Sequence, residues 1–186
     1  MKDDGEIMDK VVILFSGGKE SRLLLERALQ LGMAPYCVLI DYEQRHKQEL
    51  AYASMSLNSK SIPWQEIKLH KLDVHSALTD GKGEYSNVSE WYVPQRNLMF
   101  ISIAASIAES MGINRIWYGA SYTDREDLFP DCYQEWVYNI NAFFKVSGIN
   151  ITVEAPLLGY TEDMVWKELD TIGVDRNEIY SGYGEL

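Results

Sequence analysis

Cysteine is scarce in this chain: Cys37 and Cys132 are the only two among 186 residues, and they stand far apart. A disulfide framework is thereby excluded. With no secretory leader expected ahead of them, the reducing cytoplasm is the expected compartment. Long apolar runs are missing too, and none approaches the roughly 18 residues of a membrane-spanning helix, so no membrane partner is expected. Cations are in short supply, with 17 Lys and Arg against 28 Asp and Glu and a net charge of −11. Phosphate backbones are bound by clusters of Lys and Arg, which an acidic surface opposes, so no nucleic-acid partner is expected. What remains is ordinary globular material, 46% hydrophobic and 24% charged. The length is that of one domain able to bury roughly two thirds of the surface its unfolded form exposes.

Residues 1–10 form a polar N-terminal extension, and 11–186 read as a single domain. Val11-Val12-Ile13-Leu14-Phe15 is a continuous apolar run, the pattern of a strand buried on both faces of a parallel sheet. Over 20–31, Leu24, Ala28 and Leu31 recur at helical spacing, with Leu25 and Leu29 widening the stripe and Gly32 as C-terminal cap. The unit then repeats, with strands over 37–40, 64–69, 116–119 and 149–153 and helices over 47–57, 97–111, 133–146 and 161–172. The stretch 76–92 reads as a long loop and a candidate lid. Trp136, Tyr138, Phe143 and Phe144 read as core. Alternating strands and helices predict an α/β fold: a doubly wound, mostly parallel five-stranded sheet with helices on both faces, binding ligands at the carboxyl ends of its strands.

Between the first strand and first helix stands Phe15-Ser16-Gly17-Gly18-Lys19-Glu20-Ser21. Two glycines let backbone N–H groups turn toward an anion, and the helix dipole and serine hydroxyls add attraction, so the segment reads as a phosphate cradle. A Walker A loop would need Gly-Lys-Ser/Thr at its end, which is not present. Asp41 ends the second strand, where a doubly wound sheet presents groups to a nucleotide, and Arg45 and His46 follow as groups that could meet negative charge. Taken alone, His46 reads as a capping or surface histidine, and Cys132 as a small buried hydrophobe rather than a nucleophile.

The segment 16–21 resembles the pyrophosphate loop of the N-type ATP pyrophosphatases, Ser-Gly-Gly-X-Asp-Ser, with Glu20 in place of Asp. Asp41-Tyr42-Glu43-Gln44-Arg45-His46-Lys47-Gln48-Glu49 is similar to the second motif of the 7-cyano-7-deazaguanine synthases, which usually have Gly at the place of Glu43. Tyr92-Val93-Pro94-Gln95-Arg96-Asn97 resembles that family's Val-Pro-Gly-Arg-Asn, with Gln95 replacing Gly. Gly119, Asp124 and Phe129-Pro130-Asp131-Cys132 resemble its Gly-X4-Asp-X4-Tyr-Pro-Asp-Cys string. Glu154-Ala155-Pro156-Leu157 and Arg176-Asn177-Glu178 flank the last helix as they do in the family.

The resemblance implies a ligase that converts 7-carboxy-7-deazaguanine and ammonia to 7-cyano-7-deazaguanine. The path runs through an adenylated carboxylate and an amide, with ATP cleaved to AMP and pyrophosphate. It places Phe15, Ser16, Gly17, Gly18, Lys19, Glu20, Ser21 and Asp41 around ATP, with Glu20 on magnesium. Arg45, His46 and Arg96 stabilise charge, Asn97 caps the central helix beside the substrate, and Asp124 and Asp131 face the deazaguanine, Asp131 equally reading as a helix cap. A homodimer is implied. Gly182-Tyr183 stands where the family begins its zinc cysteines with Cys-Tyr, so no zinc is expected, through divergence or truncation. Rival readings are a ligase that stops at the amide or conjugates another amine, and a nucleotide-binding relative without turnover. A tRNA-thiolating enzyme is disfavoured by the charge and the lack of a catalytic cysteine pair.

Overall fold

A computed structural model describes residues 8–44, 46–70, 76, 79, 92–122 and 129–180. Its strands are β1 (Lys10–Leu14), β2 (Ala34–Asp41), β3 (Trp64–Lys68), β4 (Arg115–Trp117) and β5 (Thr152–Glu154). All pair in parallel, in the order β3-β2-β1-β4-β5. The helices are α1 (Lys19–Gln30), α2 (Gln48–Ser59), α3 (Arg96–Ser110), α4 (Gln134–Val146) and α5 (Glu162–Ile172), with 3₁₀ turns at Pro130–Cys132 and Arg176–Glu178.

The apolar run of β1 is continuous because successive side chains enter different cores. Val11 and Ile13 pack with Leu23, Leu24 and Leu25 of α1, Leu57 of α2 and Leu169 of α5. Val12 packs on the opposite face with Ile101, Ala104 and Ala108 of α3 and Val137 and Phe144 of α4. The sheet is therefore doubly wound, as the alternation of patterns predicts.

The order reverses at β1: the chain moves outward through β2 and β3, then returns to place β4 on the other side. Connections diverge at such a switch point and leave a crevice beyond the strand ends. There β1 runs into the 16–21 loop, and β4 runs into Tyr118, Gly119, Ala120 and Ser121.

Several local expectations are corrected. Leu31 is 69% exposed, because α1 ends at the Gly32 turn (φ +69°) and Met33 re-enters the core in its place. Tyr138 and Phe143 are exposed, because Val137, Ile140 and Phe144 define the inward face of α4. Asn97 does not cap α3: the chain enters through Gln95 in a left-handed conformation, so Asn97 lies inside the first turn. Asp131 does not cap α4 either, since Tyr133 holds that position and Asp131 is buried in the preceding 3₁₀ turn. Arg45, Asp124, Gly182, Tyr183 and most of the 76–92 loop lie outside the described residues.

Candidate active site

A cavity of 450 Å³ occupies the switch point, within the size range of small-molecule sites. One wall is the 16–21 loop and the start of α1. Gly17 takes φ +91°, and a Cβ there would lie 2.8 Å from the Glu49 carbonyl oxygen and 3.0 Å from Ala53 Cβ, so only glycine fits against α2. Ser21 closes the loop: its Oγ accepts from the Gly17 N–H at 3.1 Å and donates to the Gly18 carbonyl at 3.0 Å. Ser16 Oγ accepts from the Gly18 N–H at 3.3 Å. Gly18 is the N-cap residue of α1 and no side chain caps that helix, so the positive end of its dipole opens on the cavity.

Lys19 and Glu20 stand at the same rim. The Lys19 ammonium lies 3.3 Å from both Glu20 and Glu162. Burial opposes its charge, but the two carboxylates outweigh that and hold its pKa above the ordinary lysine value. Gly119, leaving β4, packs so closely that an added Cβ would sit 3.0 Å from Glu20 Cβ. Its lack of a side chain lets the two strand exits share one crevice.

The opposite wall comes from α3 and its neighbours. Arg96 donates to the Tyr42 hydroxyl at 3.2 Å and lies 5.9 Å over the ring, while Tyr42 in turn packs on Phe100, one turn further along α3. Burial raises the Tyr42 phenol pKa, with Arg96 pulling it down in part, so the phenol stays neutral near pH 7. Tyr118, Phe100 and Phe129 supply flat apolar surface. Behind Asn97 and Cys132 lies Asp131, which accepts hydrogen bonds from both side chains. Burial raises its carboxyl pKa, and the Arg96 charge partly offsets that.

Of the residues singled out in the sequence, Phe15, Ser16, Gly18, Lys19, Glu20, Ser21, Arg96 and Asn97 line this one cavity. Gly17 forms the back of the loop. Asp41 does not line it; its carboxylate accepts from the Glu43 N–H at 2.9 Å and shapes the turn after β2. His46 lies beside the loop, its Nδ1 2.9 Å from the Tyr180 hydroxyl, and is not among the lining residues.

The second motif has a structural core that its spacing conceals. Gln44, fully buried, accepts from the Tyr42 N–H and donates to Glu49 at 2.9 Å, tying the turn after β2 to the first turn of α2. Sequence reasoning missed Tyr42, Glu49, Phe100 and Tyr118 as lining residues. Phe100 carried a signal, since it follows Arg96 by four residues on one helix face. Tyr118 carried none beyond its place at a strand end. Among the described residues, no group of three or more His, Cys, Asp or Glu is arranged to hold a metal. A magnesium ion held by phosphates needs only one or two protein carboxylates, and Glu20 at the rim meets that requirement.

Residues 10–185 match the family model for the queuosine biosynthesis protein QueC. The 7-cyano-7-deazaguanine synthase of Polynucleobacter asymbioticus is 33% identical over 92% of this chain and 77% of its own length. That of Alteromonas mediterranea is 28% identical over 94% of this chain and 84% of its own. Among solved structures, the U34-tRNA thiolase NcsA of Methanococcus maripaludis, which carries a [4Fe-4S] cluster, superposes with a TM-score of 0.56 at 12% identity. The match covers 96% of this chain and 61% of that one. A predicted subunit of a tRNA methyltransferase from Methanocaldococcus jannaschii gives 0.58 at 17% identity, over 88% of this chain and 74% of its own. Those two likenesses speak to the fold alone.

Proposed function

From the premise that this chain belongs to the queuosine biosynthesis protein QueC family, we propose that it is a 7-cyano-7-deazaguanine synthase. It would convert 7-carboxy-7-deazaguanine and ammonia to the nitrile at the expense of ATP. The observation that carries this reading is the sharing of one cavity by the serine-glycine loop at the N-terminus of α1, the Arg96 guanidinium and an aromatic wall. An anion-binding loop facing a cation and flat apolar surface suits a nucleotide and a planar heterocyclic acid together.

The chemistry demands ATP. A carboxylate is a poor acyl donor until one of its oxygens becomes part of a good leaving group. Attack of the carboxylate on the α-phosphorus forms the acyl adenylate and releases pyrophosphate. Ammonia then displaces AMP to give the amide. A second activation of the amide oxygen by ATP lets AMP depart with that oxygen, leaving the nitrile and a second pyrophosphate.

In this scheme Ser16, Gly18, Lys19 and Ser21 bind the departing pyrophosphate, with Gly17 shaping their loop and Asp41 supporting the nucleotide side. Arg96 offsets charge on the reacting carboxylate, and Arg45 and His46 serve the phosphates. Asn97, Asp124 and Asp131 recognise the deazaguanine. Glu20 would hold magnesium, which neutralises phosphate charge when bound. A homodimer belongs to the same reading, supported by the exposed Tyr138, Phe143 and Val146 on α4. So does the absence of a nucleic-acid substrate, supported by the charge of −11.

Mass spectrometry of the products from the acid, ATP, magnesium and ammonium tests it. The expected product is one water lighter than the amide. Amide alone would reassign the protein as the ligase that stops one step earlier. No pyrophosphate release with any deazaguanine acid would make it a nucleotide binder without turnover.

A further inference from the structure

The Arg176-Asn177-Glu178 string folds into a 3₁₀ turn after α5. Its turn delivers the chain back across the molecule to the rear of the 16–21 loop. Glu178 accepts from the fully buried Arg22 of α1 at 2.8 Å, and Arg22 also donates to Glu26 at 2.8 Å and to Ser56 of α2. Ile179 then inserts into the core shared by α1 and α2. Tyr180 is thus presented from an anchored position, and three of its contacts meet residues already placed at the site. Its N–H donates to the Gly17 carbonyl at 3.4 Å. Its hydroxyl lies 2.9 Å from His46 Nδ1. Its ring packs at 6.0 Å from the His46 ring and 5.9 Å from Tyr52 of α2.

The loop therefore has two supports. From the α2 side, Glu49 and Ala53 press so closely on Gly17 that no side chain is tolerated there. From the C-terminal side, Tyr180 holds the Gly17 carbonyl and fixes one nitrogen of His46. A peptide held at its carbonyl cannot rotate without breaking that bond, and rotation of the Gly17 peptide would redirect the Gly18 N–H. The two supports together set the direction in which the loop presents its donors.

We propose that Tyr180 is a positioning residue for the Gly17 peptide and for His46, so that the C-terminal segment sets the geometry in which the loop binds phosphate. This rests on the ATP reading above. Tyr180 touches no reacting atom; it acts through Gly17 and His46. Because Ile179 and Glu178 anchor the segment independently, loss of the hydroxyl alone leaves the segment docked.

The test is Tyr180→Phe, compared with the parent in the full chain. Its melting temperature falls by no more than about 6 °C, since one half-buried hydrogen bond is lost and no cavity forms. The ¹⁵N signals of the His46 imidazole move, because the Tyr180 hydroxyl 2.9 Å from Nδ1 is removed. The KM for magnesium ATP rises about three- to tenfold, with a smaller fall in kcat, the range expected for one hydrogen bond that orients a binding group. Unmoved His46 signals overturn the proposal, and so does an unchanged KM alongside moved signals. Should the parent fail to bind ATP, the nucleotide reading falls separately, and the His46 imidazole signals decide the positioning role. Displacement of those signals in the variant sustains it, and their constancy ends it.

Discussion

Two single residues show what the family's glycines are for. Glu43 and Gln95 take φ values of 60° and 57°, both left-handed, at the two places where the resembling motifs have Gly. For an L-residue that conformation costs about 1–2 kcal/mol, while glycine adopts it freely but gives up more backbone entropy on folding. Asp41 stabilises the first turn by accepting from the Glu43 N–H. No side chain caps α3, the helix that Gln95 starts. Gln95→Gly is therefore expected to stabilise the protein by about 0.5–1 kcal/mol, and Gln95→Ala to give no gain, since alanine retains the Cβ that left-handed backbone disfavours. Urea midpoints of the three proteins check it; a Gly variant less stable than the parent would show that the Gln95 side chain makes a compensating contact.

At the level of elements, what the sequence made legible was what depends on local pattern. The apolar run of β1, the helical stripe of Leu24, Leu25 and Ala28 on α1 and the glycine turn between β1 and α1 each declare themselves within a few residues. Contacts that bring distant elements together do not. Arg22 and Glu26 lie one turn apart on α1 with nothing local to mark them as core, yet both are buried, because Ser56 of α2, Lys60 and Glu178 converge on them. The tail contacts of His46 were hidden for the same reason, with 134 residues separating it from Tyr180. The candidate site was legible as motifs, but the aromatic wall was not, since Tyr42, Phe100 and Tyr118 meet only through the topology. Arg22→Ala is expected to destabilise by about 3–5 kcal/mol, because Glu26 stays buried with Lys60 as its remaining cation. Arg22→Met, which keeps most of the volume, should cost clearly less. Denaturant melts of the two variants compare them. Equal losses would mean that the charge matters more than the packing.

For the whole molecule, Cys37 provides a probe of the fold and of its ligand together. It sits in β2, which is paired on both sides, by β1 and by β3, so local fraying does not uncover it. Its side chain is fully buried and burial pushes the thiol pKa far up, leaving essentially no thiolate in the folded state. Alkylation must then wait for opening of the sheet, and for a domain stable by 5 kcal/mol or more it should run at least about 10³-fold slower than in the unfolded chain. A ligand that binds the folded state alone slows that opening further by the factor 1 + [L]/Kd, about 100-fold at a hundred times Kd. Peptide-resolved mass spectrometry separates Cys37 from Cys132, which lies on the cavity wall and can also be shielded directly. ATP with magnesium is expected to slow labelling at both positions, Cys37 by the global factor alone. If ATP leaves Cys37 unchanged while the acid substrate protects Cys132, the cavity takes the heterocycle without the nucleotide, and the adenylation scheme fails at its first step.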